Sequence, residues 1–202
     1  HAAEGLRATI LGAGPVGLRC AVELALLGCS VTVIEGRASW TRLNVLHLWQ
    51  WVEADLTELG VKLLDPSVFS AAEFTHCATR QLQVLLLKVG LLLGIFVRVG
   101  CQIAHLDERF KTTLQRLARD GREADVAEDG MPVDLLVDAT GARCPLFNDL
   151  GFEQTTMLRG ARALGITLHL KHTGESWESR LQEGNWAHQF HQERFSRLAS
   201  TT

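Results

Sequence analysis

Arg7-Ala8-Thr9-Ile10-Leu11-Gly12-Ala13-Gly14-Pro15-Val16-Gly17-Leu18 runs on through Arg19-Cys20-Ala21-Val22-Glu23-Leu24-Ala25-Leu26-Leu27-Gly28, and Val31-Thr32-Val33-Ile34-Glu35 follows at once. Residues 7–11 form a short β-prone run that ends in glycines. Residues 15–27 are apolar and rich in Ala and Leu, with no Gly or Pro after Gly17, and so predict a helix. Gly28 stops it. Residues 31–34 are mostly β-branched and predict a buried parallel strand. The first 35 residues therefore make a β-turn-α-β unit, and residues 12–17, G-x-G-x-x-G, lie at its turn.

In that setting each glycine has a task. Gly12 permits the tight turn, Gly14 lets the backbone approach a pyrophosphate, and Gly17 lets the helix pack closely on the strand. The helix N-terminus then faces the phosphates with free N–H groups and a partial positive charge. Pro15 gives up no needed donor in the first turn. Ala21 is small where the helix must sit close to the sheet, and Glu35 at the end of the second strand can accept hydrogen bonds from a ribose diol. The bland alternative is a glycine-rich turn with no ligand, and the full constellation weighs against it. The cradle suits FAD and NAD equally, whereas Glu35 disfavours the 2′-phosphate of NADP at this position.

Outward from this unit, residues 36–43 read as a loop, and Asn44 as the N-cap of a helix ending near Leu59 before Gly60. Residues 65–74 are broken by Pro and Ser and read as irregular. Residues 80–93 predict a strong helix that Gly94 ends. Residues 95–99 and 101–106 predict strands, residues 112–118 belong to a small antiparallel meander, and the charged residues 120–129 form a hairpin or loop. A buried strand over 133–137 runs into Asp138-Ala139-Thr140-Gly141. A strand over 166–170 and a helix over 186–198 complete the expectation: a three-layer Rossmann-like α/β domain with a small β-meander.

Composition narrows the class. Of 202 residues, 47% are hydrophobic and 21% charged, the balance of an ordinary globular protein. A net charge of −3 gives no electrostatic reason to expect nucleic acid or an anionic membrane as partner. The most apolar run, residues 84–97, is too short to span a bilayer and is interrupted by Lys88. The cysteines number five with no C-x-x-C pair, which argues against a disulfide framework or zinc ribbon and for reduced thiols in a cytoplasmic or nuclear setting. No secretory signal opens the chain. It begins at His1 with no Met, so it reads as a truncated part of a longer protein, one partial domain over 1–202.

The chain from the glycine motif onward resembles the monooxygenase domain of the MICAL proteins, most densely over residues 10–94. The matching segments are residues 12–19 with 21–28, then Asn44-Val45-Leu46-His47-Leu48-Trp49, which is similar to the family's N-V-L-H-L-W signature. Arg80-Gln81-Leu82-Gln83 with residues 85–89 and 91–94 also matches, and residues 164–167 and 190–192 match more weakly. The resemblance implies an FAD-dependent enzyme that uses NADPH and oxygen to oxidise methionines of filamentous actin. It implies FAD contacts from Val16, Glu35, Arg37, Arg42 and Asn44, with a backbone contact at Ile103. Arginine suits a pyrophosphate through its planar fork, which supports Arg37 and Arg42 over plain surface roles. Arg80 and Gln81 reach the pyrophosphate in related hydroxylases, and an ordinary helix N-terminal turn is an equal reading of them.

The chain departs from the family at Gly36, Leu43 and Gln50, where Lys, His and Pro are usual. Thr140-Gly141 stands where related aromatic hydroxylases carry Asp-Gly. The later Gly-Asp segment that holds the flavin end is absent, so the chain alone is expected not to be a competent monooxygenase. No side chain stands out as the catalyst. A flavin hydroxylase of small aromatic or quinone substrates, and a non-catalytic nucleotide-binding fragment, are the other readings. His47 reads as a half-buried packing residue, and one of Trp49 and Trp51 as core. His188 and His191 lack the Glu of a zinc-protease motif, and Ser39 and Ser70 have no triad partners.

Overall fold

The computed structural model describes residues 3–42, 44–61, 70–71, 74–106, 112–117, 123–128, 133–141, 146, 150–152, 155 and 173–177. In chain order the elements are β1 (Arg7–Leu11), α1 (Pro15–Leu26), β2 (Ser30–Glu35), β3 (Val45–Trp49) and α2 (Gln50–Glu58). There follow β4 (Ser70–Ala71), β5 (Phe74–Ala78), α3 (Thr79–Leu92), β6 (Phe96–Val99), β7 (Cys101–Leu106), β8 (Thr112–Leu117), β9 (Glu123–Glu128) and β10 (Leu135–Asp138).

Four of these strands pair in parallel in the order β10-β1-β2-β6. The chain steps outward from β1 to β2 and β6, then returns to the other side of β1 as β10. That reversal makes the gap between β1 and β10 a topological switch point, where ligands of open α/β sheets bind. The period-2 alternation of the strands sorts the core into two layers. Ala8 and Ile10 of β1 and Val31 and Val33 of β2 join Leu18, Ala21, Val22, Leu82 and Leu86 of α1 and α3 in one cluster. Leu11 and Ile34 point the other way and join Cys101 and Ile103 of β7 and Leu146. Helices, parallel sheet and the β7-β8-β9 meander thus form the expected three layers.

The three described α-helices end alike. Gly28, Gly60 and Gly94 have φ of 99°, 95° and 81°, and the next residue donates back into the helix, as Cys29 N–H does to the Leu24 carbonyl at 3.0 Å. This is the Schellman arrangement, and its left-handed residue is strained for any side chain. The three expected glycine stops are all borne out.

Several expectations are corrected. The segment 44–59 is a strand followed by a helix, with Trp49 rather than Asn44 at the helix N-cap. Val45-Leu46-His47-Leu48-Trp49 alternates, and its antiparallel pairing with β5 outweighs its local helix tendency. β5 occupies residues that read as irregular or unassigned, and β9 makes the charged segment a strand. Neither tryptophan is core: Trp49 is 55% and Trp51 72% exposed, and Leu48 supplies the buried side chain of β3. The strand expected over 166–170 and the helix over 186–198 lie outside the described residues.

Candidate dinucleotide site

The turn between β1 and α1 lies at the carboxyl edge of the parallel sheet. Gly12 has φ of 94°, and a Cβ there would stand 2.7 Å from the Ala139 carbonyl oxygen, just beyond β10. A Cβ on Gly17 would collide with the Gly12 carbonyl oxygen. These two glycines are required by the fold itself. Gly14 differs: its φ of −68° and ψ of 171° suit any residue, and a Cβ there would meet nothing within 4 Å. The opening at Gly14 lies over the first turn of α1, whose N–H groups have no intrahelical acceptor. Val16, in the first turn of α1, is 75% exposed.

The turn is held by its neighbours. Strand alternation sends Glu35 toward α1, where it is 5% exposed. Its Oε2 accepts from the Ala13 N–H at 2.8 Å and its Oε1 from the Arg37 N–H at 2.9 Å. The Arg37 guanidinium stands 3.7 Å from Glu35 Oε1 and is half exposed. Glu35 thus serves the glycine turn directly. On the other side of Ala13, Gln83 Nε2 donates to the Ala13 carbonyl at 2.7 Å. Gln83, 4% exposed, was not singled out by sequence, and a polar residue on the packed face of α3 was the available signal.

A second group of expected residues converges on the first turn of α3. The Asn44 carbonyl accepts from Thr79 N–H and Oγ1 at 2.8 and 2.9 Å, and the Arg42 carbonyl accepts from Arg80 N–H at 3.1 Å. Gln81 Oε1 accepts from Ala78 N–H at 2.9 Å, so this side chain caps the helix. These bonds consume early donors of α3 and leave the side chains of Arg42, Asn44 and Arg80 exposed. Ile103 is 1% exposed and packs under β1 and β2, so its side chain is not available to a ligand, and its backbone lies in the β7–β8 ladder opposite Leu114.

At the switch point a cavity of about 620 Å³ is lined by Leu11, Val16, Leu136, Ala139, Leu146 and Phe152, among others. That size and apolar lining suit a cofactor-scale ligand. Beside it Asp138 Oδ1 accepts from Thr140 N–H and Oγ1, which shapes the turn after β10. Burial pushes the Cys77 and Cys20 thiols up, so both are neutral structural groups. No metal-binding cluster occurs among the described residues, and no described helix is long and apolar enough to cross a membrane.

The family model for pyridine nucleotide-disulphide oxidoreductases matches residues 1–88. The chain is 37% identical over 188 residues to the protein-methionine sulfoxide oxidase mical3b of Danio rerio, covering 91% of this chain and 11% of that protein. It is 39% identical over 179 residues to the F-actin monooxygenase mical1 of Danio rerio, covering 86% and 14%. To the F-actin monooxygenase Mical of Drosophila melanogaster it is 38% identical over 187 residues, covering 90% and 4%. The chain therefore spans a small part of each relative. Among solved structures, 2-methyl-3-hydroxypyridine-5-carboxylic acid oxygenase superimposes with a TM-score of 0.59 at 20% identity, over 73% of this chain and 43% of that one. The OxyS anhydrotetracycline hydroxylase from Streptomyces rimosus gives 0.52 at 23% identity, over 72% and 34%. These two establish a shared fold.

Proposed function

The chain belongs to the MICAL family, and on that premise we propose that it carries the dinucleotide cradle of an FAD-dependent monooxygenase. The observation that carries the reading is the space over Gly14: a protein-free opening, bordered by helix donors, where a pyrophosphate fits and a side chain would intrude. Glu35 would receive the adenosine ribose. Arg37, Arg42 and Arg80 would offset phosphate charge, with Asn44 beside them and the Ile103 backbone toward the adenine. The apolar cavity beside Val16 would receive the part of the cofactor beyond the pyrophosphate.

When bound, FAD supplies the redox and oxygen chemistry, with NADPH as the reductant. The chain's own contribution is to bind and orient it. The helix N-terminus and the arginines neutralise the phosphates, and the apolar walls exclude water from the cavity. In the complete protein the substrate would be methionine side chains of filamentous actin. Fold similarity to aromatic hydroxylases gives no ground for preferring a small aromatic substrate.

The test is Gly14→Val. Nothing in the protein opposes a side chain there, so the variant should fold with an unchanged melting temperature. It should lose FAD affinity by roughly tenfold or more, because the valine occupies the pyrophosphate's place. Flavin content equal to wild type in the folded variant would sink the assignment.

A further inference from the structure

On the reading that this cradle holds FAD, we infer that Gln83 is a positioning residue of the site: its buried amide grips the Ala13 peptide and fixes the glycine turn in the shape the pyrophosphate needs. Ala13 lies between Gly12 and Gly14, the two residues of the turn with least intrinsic constraint. Left to itself, such a segment would have to be ordered by the ligand, which weakens binding. Here the Ala13 peptide groups are held from two separate elements. Glu35, at the end of β2, takes the N–H at 2.8 Å, and Gln83, on α3, gives a hydrogen bond to the carbonyl at 2.7 Å.

The chemistry of Gln83 singles out that bond as its purpose. The other buried residues of α3 are Thr79, Leu82, Leu86 and Gly90, and Gln83 is the one carrying an amide. Burying an amide is unfavourable unless its hydrogen bonds are replaced. Gln83 Oε1 finds no partner among the described residues, so the amide is only half compensated. An apolar side chain of similar volume would avoid that cost, but it would leave the Ala13 carbonyl without its donor. Gln83 also joins the two groups of site residues, since it lies one turn beyond Arg80 and reaches back to the β1–α1 turn.

The experiment uses the full 202-residue chain as wild type, Gln83→Leu and Gln83→Glu. Amide hydrogen exchange is read without ligand, and FAD affinity is read by flavin fluorescence at pH 8 and pH 6. Gln83→Leu should speed exchange at residues 12–17 while the interiors of β2 and α1 keep their protection, and should weaken FAD binding roughly tenfold. Gln83→Glu should bind weakly at pH 8 and recover toward wild type at pH 6. A buried carboxyl gains its proton at raised pH and can then donate to the Ala13 carbonyl. A merely structural residue would not produce that pH-dependent rescue. Wild-type turn exchange and FAD affinity in Gln83→Leu would overturn the inference, as would a Gln83→Glu affinity that does not change with pH. A wild-type chain that fails to bind FAD would overturn the flavin reading alone. Loosening of the ligand-free turn in Gln83→Leu would still support the clamp, and its absence would still overturn it.

Discussion

Single side chains decide how the ends of the sheet are tied. Arg7 and Asp134 join the start of β1 to the approach to β10 through a two-pronged pair, Nε to Oδ2 and Nη2 to Oδ1, both at 2.8 Å. The Arg7 N–H also donates to Asp134 Oδ2 at 2.9 Å. These donors hold the Asp134 carboxyl down at about 2, below its ordinary 3.8. A carboxylate with a depressed folded-state value adds stability that is fully present above the ordinary value. That stability is lost as pH falls through the folded value. The expected outcome is that Asp134→Asn unfolds at lower denaturant concentration than wild type at pH 6, with the gap closing between about pH 4 and pH 2. Added salt should narrow the gap at pH 6, because the pair is exposed and screened. Parallel denaturation curves across that range check both statements.

At the scale of elements, β3 has the most consequence for the site, because the strand that replaces the expected helix sets where Arg42 and Asn44 meet α3. Leu48 is its buried anchor at 8% exposure, packed in the cluster that includes Leu56, Cys77 and Leu82. Trp51, in the first turn of α2, is 72% exposed. Leu48→Ala should therefore cost about 2–3 kcal/mol, from lost burial plus the cavity left behind. Trp51→Ala should change stability by no more than about 0.5 kcal/mol, despite removing the larger side chain. Chemical denaturation of the two variants tests the strand assignment. The reverse ranking would mean that the segment is helical with a tryptophan in the core.

Across the whole molecule, the two helices that cover the sheet run antiparallel to its strands, so their C-terminal ends lie together at the edge away from the cradle. That edge is apolar. Leu26 and Leu27 at the end of α1 are 46% and 43% exposed, and Leu91, Leu92 and Leu93 at the end of α3 are 54%, 81% and 40% exposed. Clustered exposed leucines favour association. Leu92→Glu should leave stability within about 0.5 kcal/mol of wild type and reduce concentration-dependent self-association. Sedimentation velocity over a concentration series checks this, and identical profiles for both chains would show that the patch is inert.

What the sequence by itself determined is the part governed by local backbone chemistry. Gly12 is set by its left-handed φ of 94°, Gly17 by its close approach to the Gly12 carbonyl within one turn, Pro15 by the missing donor at a helix start, and Gly28, Gly60 and Gly94 by left-handed helix ends. Strand alternation placed Glu35 on the face of α1. Each constraint acts within a few residues, so spacing alone reveals it. Tertiary structure alone decided the rest, since it depends on partners distant in the chain. Residues 44–49 have a helical neighbour and mixed propensity, and become a strand because β5 offers a ladder of hydrogen bonds in register. Trp49 and Trp51 remain outside because Leu48 takes the inward position. Glu35 serves Ala13 across 22 residues and Gln83 serves it across 70. A buried polar group is stabilised by whichever partner the packing brings within hydrogen-bond distance, and no spacing rule encodes that choice.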